Sequence, residues 1–302
     1  MSGLVSVNGK ITSPELAAVP ALDRGFLFGD NVFEVFVCFG DQVLDMKPHL
    51  SRLRASAESL RMTIPWSDDE LEFELNTLSE QVSESKKYLR LVVTRGEGLG
   101  LRIPANAKPN RFIYCFPAAV EKPEVYKEGF ALRKSLKSGG ERGAAAKTGN
   151  YLSSILAMEK AESEGFNDIL WSNSDGELTE ASTANIFFMS RAGDNIEFIT
   201  PAAHSGILLG ITRGTMIDLM RGAGIPVKEE IVFADEIPRF DEAFLCSTVR
   251  GLVPVNRIDR HKMHSARNGS VFRHIERLFI TWVETQIGFR PDWRTGLPVT
   301  RT

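Results

Sequence analysis

Most of the residue clusters that suggest chemistry in this chain fail on spacing, and the failures narrow what it can do. Gly96-Glu97-Gly98-Leu99-Gly100 follows a β-rich run, as a dinucleotide loop would. That loop needs its third glycine three residues after the second, where a helix opens. Pro104 and Pro109 follow instead, so no helix starts on time. Ala144-Ala145-Ala146-Lys147-Thr148 has the Lys-Thr ending of a phosphate-binding P-loop, but Ala146 stands where a glycine must precede the lysine, and no strand feeds it. The histidines, His49, His204, His261, His264 and His274, lack acidic or thiol neighbours at ligand spacing, apart from a loose His261/His264 pair. They read as solvated loop histidines, and no metal site is expected.

Other residues have the right types in usable places. Gly210-Ile211-Thr212 opens an expected helix and offers backbone amides, a hydroxyl and the positive end of the helix dipole to an anion. Arg52 lies about 100° round its helix from Leu53, off the centre of the apolar stripe, whereas Arg54 can pair with Glu58 at i+4. Arg90, Arg102 and Arg250 are each candidates to hold a carboxylate through two parallel bonds. Lys147 ends an Ala-rich stretch just before an expected helix start at Gly149-Asn150, where small neighbours let another group approach. Glu180 sits in a strand-to-loop passage among small residues, and Tyr151 follows Lys147 by four.

Five segments together resemble one family. They are Leu22-Asp23-Arg24-Gly25-Phe26-Leu27-Phe28-Gly29-Asp30, His49-Leu50-Ser51-Arg52-Leu53, Lys147-Thr148-Gly149-Asn150-Tyr151-Leu152, Leu178 to Asn185, and Gly206 to Arg213. In this order, from about residue 5 to residue 285, they resemble the fold type IV pyridoxal phosphate enzymes. That family includes branched-chain and D-amino-acid aminotransferases, (R)-amine transaminases and aminodeoxychorismate lyase.

The resemblance implies a role for each residue. Lys147 is the Schiff-base lysine, since the chemistry needs an amine that joins the cofactor's aldehyde and later moves a proton. Glu180 faces the pyridine nitrogen, and the Tyr151 hydroxyl approaches the phenolic oxygen. Arg52, the Ile211 and Thr212 amides and the Thr248 hydroxyl cup the phosphate, and Leu208 packs on the ring. Tyr88-Leu89-Arg90 and Phe33-Glu34 resemble substrate-pocket segments of branched-chain aminotransferases, which favours a transaminase moving an amino group between an amino acid, branched-chain-like or D, and a 2-oxo acid. The alternative is the lyase that releases pyruvate and 4-aminobenzoate. Phe28 replaces a tyrosine that helps seat the carboxylate, and Ser247-Thr248-Val249-Arg250 replaces the usual Gly-Thr-Ala-Ala turn. Arg102 lies in the loop where D-amino-acid aminotransferases carry a carboxylate-trapping arginine. The family also implies a homodimer.

The elements that must position these residues read as two α+β domains, with the cofactor expected in the cleft between them. Residues 1–118 form a smaller N-terminal domain, 119–131 a connection, and 132–302 a larger cofactor-binding domain. Leu4 to Val7, closed by Asn8-Gly9, reads as a hairpin strand, and Asn31 to Phe39 as a buried strand. Pro48 opens a helix with Leu50, Leu53, Ala57 and Leu60 on one face. Strands are expected at Tyr88 to Arg95 and Arg111 to Phe116. A helix over Asn150 to Glu164 has Leu152, Ile155, Leu156 and Met158 as its face and ends at Gly165. Strands follow at Asp168 to Ser172, Glu177 to Glu180, Asn185 to Ser190 and Ile196 to Thr200, with turns at Asp175-Gly176 and Gly193-Asp194-Asn195. A helix over Ile211 to Ala223 leads to strands near Val227 to Val232 and Ala243 to Ser247, and Ser270 to Ile287 reads as the last helix.

Composition fits this architecture. At 302 residues the chain is long enough for two cores, and 43% hydrophobic with 25% charged residues is ordinary for a globular protein. A net charge of -3 offers no general basic surface for nucleic acid. Cys38, Cys115 and Cys246 are too scattered for a disulfide framework and read as buried thiols of a reducing compartment. The N-terminal residues show no signal-peptide pattern and no run of 18 apolar residues occurs, so a cytoplasmic protein without membrane contact is expected.

Overall fold

The computed structural model describes residues 3–137, 146–193 and 195–299, apart from the Ala192 side chain. The Ala144-Ala145 start of the P-loop-like segment and Asp194 of one expected turn therefore lie outside the described residues. The chain divides into two units, one of Met1–Val120, Ala146–Asn150 and Gln286–Thr302, the other of Glu121–Ala145 and Tyr151–Thr285. Lys147 thus belongs with the N-terminal strands.

The first unit contains β1 (Leu4–Val7), β2 (Lys10–Thr12), α1 (Arg24–Phe28), β3 (Asn31–Phe39), β4 (Gln42–Val43), α2 (Met46–Ser59), α3 (Asp68–Glu80), β5 (Lys86–Thr94) and β6 (Asn110–Pro117). Its described strands pair in the order β2-β1-β6-β5-β3-β4, antiparallel throughout. Strand side chains alternate between faces. Val32, Phe36 and Cys38 of β3, Leu89, Leu91 and Val93 of β5, and Ile113 and Cys115 of β6 pack against Leu50, Leu53 and Ala57 of α2 and Leu71, Leu75 and Leu78 of α3. Each fully buried leucine there contributes about 1.5–3 kcal/mol, which holds α2 to the sheet. The register sets Phe33, Val35 and Val37 beside Val92, Arg90 and Tyr88 on the opposite face. Helix α3, which is not among the expected elements, starts from a capping box in which Ser67 and Glu70 bond each other's backbone amides.

The second unit contains α4 (Pro123–Glu128), β7 (Phe130–Leu136), α5 (Leu152–Ser163), β8 (Asp168–Ser172), β9 (Leu178–Ala181), β10 (Asn185–Ala192), β11 (Asn195–Pro201), α6 (Ile211–Gly222), β12 (Val227–Glu230), β13 (Glu242–Ser247), β14 (Gly251–Ile258), β15 (His261–Lys262) and α7 (Val271–Ile287). The stretch expected as a bare connection therefore carries α4 and the start of β7. The described strands form a mixed sheet in the order β12-β11-β10-β13-β14-β7-β8-β9, with β15 on β14. Leu132, Leu170, Leu178, Ile186, Phe188, Leu245, Val253 and Val255 converge on one core, so the sheet wraps round its own apolar face. On the other face Phe187 stacks on Phe244, 4.9 Å between centroids, and Phe244 meets Phe272 of α7 at 5.7 Å.

Helix α5 departs from its expected packing. Leu152, Ile155 and Leu156 are 70%, 61% and 58% exposed. Ala161, with Ala157 and Met158, is what packs on Ile169 and Trp171. Among the described residues no helix is long and apolar enough to cross a membrane.

Candidate functional site

In the first unit, four backbone contacts fix the segment that carries Lys147. Its carbonyl accepts from the Phe33 amide at 3.0 Å, and its amide donates to Ser56 Oγ of α2 at 3.2 Å. Thr148 bridges Val32, and the Gly149 amide donates to Asn31 Oδ1 at 3.1 Å. A Cβ on residue 149 would stand 2.7 Å from that oxygen, so only glycine lets Asn31 approach. With its backbone held along β3, Lys147 lays its Nζ 4.5 Å over the Phe33 ring centroid, within cation–π range.

Beside it lies a buried ionic cluster. Glu34, wholly buried in β3, accepts Arg52 Nε on one oxygen and Arg52 Nη2 on the other, both at 2.7 Å. His49 Nδ1 approaches Glu34 Oε2 at 2.7 Å. Burial alone would raise the Glu34 carboxyl, but the Arg52 and His49 bonds and charges outweigh it and hold it down to about 2. Burial pushes the His49 pKa down against the pull of Glu34, and the Arg52 and Lys147 charges push the same way. An ionised Glu34 accepts only, so His49 donates from Nδ1.

His49 was read from sequence as a solvated loop residue. It is instead 1% exposed, on α2, one turn before Arg52. His274 also lies on a helix, α7, where it is exposed. Arg54, expected to pair with Glu58, turns instead to Asp68 at 2.7 Å and donates to the carbonyls of Ile64 and Trp66.

The substrate-pocket candidates separate by location. Arg90 sits with its guanidinium 3.9 Å from the Phe33 ring centroid, and Tyr88 shares its face of β5. Phe28, 40% exposed at the end of α1, takes the Arg24 guanidinium over its ring at 5.0 Å. Arg102 is exposed in the loop before β6, where its carbonyl accepts from Arg24. The same loop shows why Gly96 is a glycine: its φ is +92° and a Cβ would meet the Lys108 carbonyl at 1.9 Å.

In the second unit, Glu180 at the end of β9 accepts the Leu208 amide at 3.0 Å and the Asn185 side-chain amide at 3.1 Å through Oε2. Asn185 also donates to the Leu208 carbonyl at 2.9 Å, which ties the Leu208 loop to β10. Gly210 follows, and a Cβ there would come within 2.0 Å of Asn185 Oδ1. Helix α6 then starts at Ile211 with no side-chain cap on its amides, the arrangement that suits an anion. Arg213 anchors this turn through Thr200, the Pro201 carbonyl and Glu229. Thr248 lies in the half-buried turn between β13 and β14, and Tyr151 immediately precedes α5. Among the described residues no three His, Cys, Asp or Glu side chains gather as metal ligands.

Arg250 is already engaged. Its Nε donates to Glu121 at 2.8 Å, and its Nη1 donates to Thr183 Oγ1 at 3.1 Å and lies 3.8 Å from Asp168 Oδ2. Asp168, wholly buried, accepts the Ile169 and Ser182 amides on Oδ1. Oδ2 is buried without a hydrogen bond, and burial pushes the carboxyl up against those bonds and the Arg250 charge.

An amine over an aromatic ring, a carboxylate seated between two amides and an uncapped helix N-terminus are the parts that a phosphorylated aldehyde cofactor needs. The family model described as amino-transferase class IV matches residues 31–258. The chain belongs to the class IV aminotransferases. It is 32% identical over 281 residues to a putative branched-chain-amino-acid aminotransferase of Methanocaldococcus jannaschii, covering 91% of this chain and 94% of that one. It is also 28% identical to the D-alanine aminotransferase of Bacillus licheniformis, over 90% of this chain and 94% of the other. The structure of a branched-chain amino acid aminotransferase of T.th. with pyridoxamine 5'-phosphate superimposes with a TM-score of 0.82 at 26% identity, covering 97% of each chain. This class IV aminotransferase therefore keeps the family fold along nearly its whole length.

The sequence reading missed Ser56 and Asn31, which hold the segment carrying Lys147, and Asn185, which holds the Glu180 carboxylate. Glu34 and His49 had a usable signal. An acid in an apolar strand needs a buried partner, and His49 and Arg52 stand three apart on one helix face.

Proposed function

We propose that this aminotransferase uses pyridoxal 5'-phosphate to move an amino group between a branched-chain L-amino acid and a 2-oxo acid. The observation that carries the reading is the pinned Lys147 segment, with its amine 4.5 Å over Phe33. The cofactor supplies an aldehyde and an electron-withdrawing ring. Lys147 would hold the cofactor through its amine and would carry a proton to and from the substrate's α-carbon. Glu180, held by the Leu208 amide and Asn185, would keep the ring nitrogen protonated. The α6 amides of Ile211 and Thr212, the Thr248 hydroxyl and Arg52 would hold the phosphate, and Leu208 and Tyr151 would lie against the ring.

Of the three arginines, Arg90 is assigned to the substrate carboxylate, because it shares a sheet face with Tyr88 and Phe33. Arg250 has Glu121 and Thr183 as partners, and we assign it to holding the turn after β13. Phe28 and Arg102 are assigned to the pocket's outer wall. We further propose a homodimer, in which a second copy covers the exposed Leu152, Ile155 and Leu156 of α5. A reducing, cytoplasmic setting suits the three free thiols: burial pushes Cys38 up to about 11 and Cys115 and Cys246 up to about 12, which keeps them protonated.

The test follows the visible absorbance of the cofactor-loaded protein while single amino acids are added without an acceptor. Bleaching by L-leucine, L-isoleucine or L-valine is expected. Bleaching by D-alanine or D-glutamate alone would overturn the substrate assignment, and release of pyruvate and 4-aminobenzoate from aminodeoxychorismate would overturn the transaminase reading.

A further inference from the structure

The Glu34 carboxylate needs a reason beyond stability. Its neighbours Val32 and Phe36 pack into the apolar core beneath α2, and an apolar side chain at 34 would continue that face. Replacing a buried ion pair by apolar residues of similar size is often neutral or stabilising, so folding stability does not by itself require a carboxylate at 34.

What the pair does supply is orientation. Two parallel bonds at 2.7 Å fix the Arg52 guanidinium in both position and plane, which one bond cannot do. With Nε and Nη2 turned to Glu34, the opposite edge of the fork is directed away from the Glu34 carboxylate. His49 closes the other side: it donates to Glu34 Oε2 at 2.7 Å and packs against Phe36, with 4.9 Å between ring centroids. The carboxylate is thus bonded on both of its oxygens.

We propose that Glu34, buttressed by His49, is a positioning residue that sets the Arg52 guanidinium for the phosphate of the cofactor. The inference rests on the reading of Arg52 as a phosphate ligand. Glu34 acts on the phosphate only through Arg52, so its loss should be felt by a phosphorylated ligand and not by the same ligand without phosphate.

The experiment strips the full-length protein of cofactor and measures equilibrium affinity for pyridoxal 5'-phosphate and for pyridoxal, with a melting curve for each variant. Glu34→Gln is expected to weaken pyridoxal 5'-phosphate binding about tenfold or more and to change pyridoxal binding less than about twofold, the size of effect expected for a misaligned charged bond. Combined with Arg52→Ala it should add little to the Arg52→Ala loss, because the two act as a unit. Equal loss for both ligands, or a lowered melting temperature with phosphate preference intact, overturns the positioning role. If Arg52→Ala leaves the preference for the phosphorylated ligand unchanged, Arg52 is no phosphate ligand and the proposal falls with that reading. His49→Asn is the second variant: it should cost a smaller, still phosphate-specific, share of affinity, and a loss common to both ligands overturns the buttress.

Discussion

The Phe33 amide donates to the Lys147 carbonyl at 3.0 Å while the Phe33 ring lies 4.5 Å beneath the Lys147 amine. One strand residue therefore holds the lysine at both ends. The ring is 1% exposed and carries the Arg90 guanidinium as well. Phe33→Ala should remove a buried ring and cost about 3–5 kcal/mol of stability by denaturant unfolding. It should also lower turnover in the fraction that remains folded. A loss below about 1 kcal/mol would mean that the ring is not the support described.

Gly210 tests the seat of Glu180. An added Cβ would meet Asn185 Oδ1 at 2.0 Å, and Asn185 must then move from both Glu180 and the Leu208 carbonyl. Gly210→Ala, at a φ of -65° that any residue tolerates, should keep the helix yet weaken cofactor binding by about tenfold or more, the cost of one lost charged hydrogen bond. Unchanged binding in a titration of the cofactor-free protein would contradict this.

Acid should destabilise the first unit in two steps. The His49 pKa is depressed below its ordinary 6.5, so the unfolded chain takes up a proton there before the folded one and stability falls as pH drops below that value. Glu34 stays ionised to about 2 in the fold against 4.5 unfolded, a difference of about 3 kcal/mol that is present above pH 4.5 and lost towards pH 2. Glu34→Gln should flatten the lower step in melting temperature against pH. An unchanged slope would assign the acid lability elsewhere.

The exposed face of α5 predicts association. Leu156→Asp places a charge among Leu152 and Ile155, and light scattering should show a dimer for the parent protein and a shift to monomer for the variant. A monomeric parent at micromolar concentration, or a variant that dimerises equally well, would remove the proposed interface.

Much of the fold was legible because burial writes periodicity into sequence. The apolar run at Asn31 to Phe39 became β3 with those bounds, and the three- and four-residue spacing of Leu50, Leu53 and Ala57 became the buried face of α2. The capping box at Ser67 to Glu70 and the spacing of Leu71, Leu75 and Leu78 make α3 equally legible, although it is not among the expected elements. Strand β14 is not among the expected elements: Pro254 lies inside it, paired with Phe244, and prolines argue against strands. The exposed α5 face misled for the reverse reason: periodicity says that a face is apolar, not what covers it. The order of the family segments marked Lys147, Glu180 and the α6 N-terminus. Ser56 and Asn31, which hold the Lys147 segment, come from elements distant in sequence, and only three-dimensional pairing brings them to it.

The central claim is that Lys147 is the lysine that joins the cofactor. The direct measurement is borohydride reduction of the protein loaded with pyridoxal 5'-phosphate, followed by digestion and mass mapping. A phosphopyridoxyl group on the peptide carrying Lys147, and its loss in Lys147→Ala, is the predicted result. The group on a different lysine, or equal labelling of Lys147→Ala, would contradict the account.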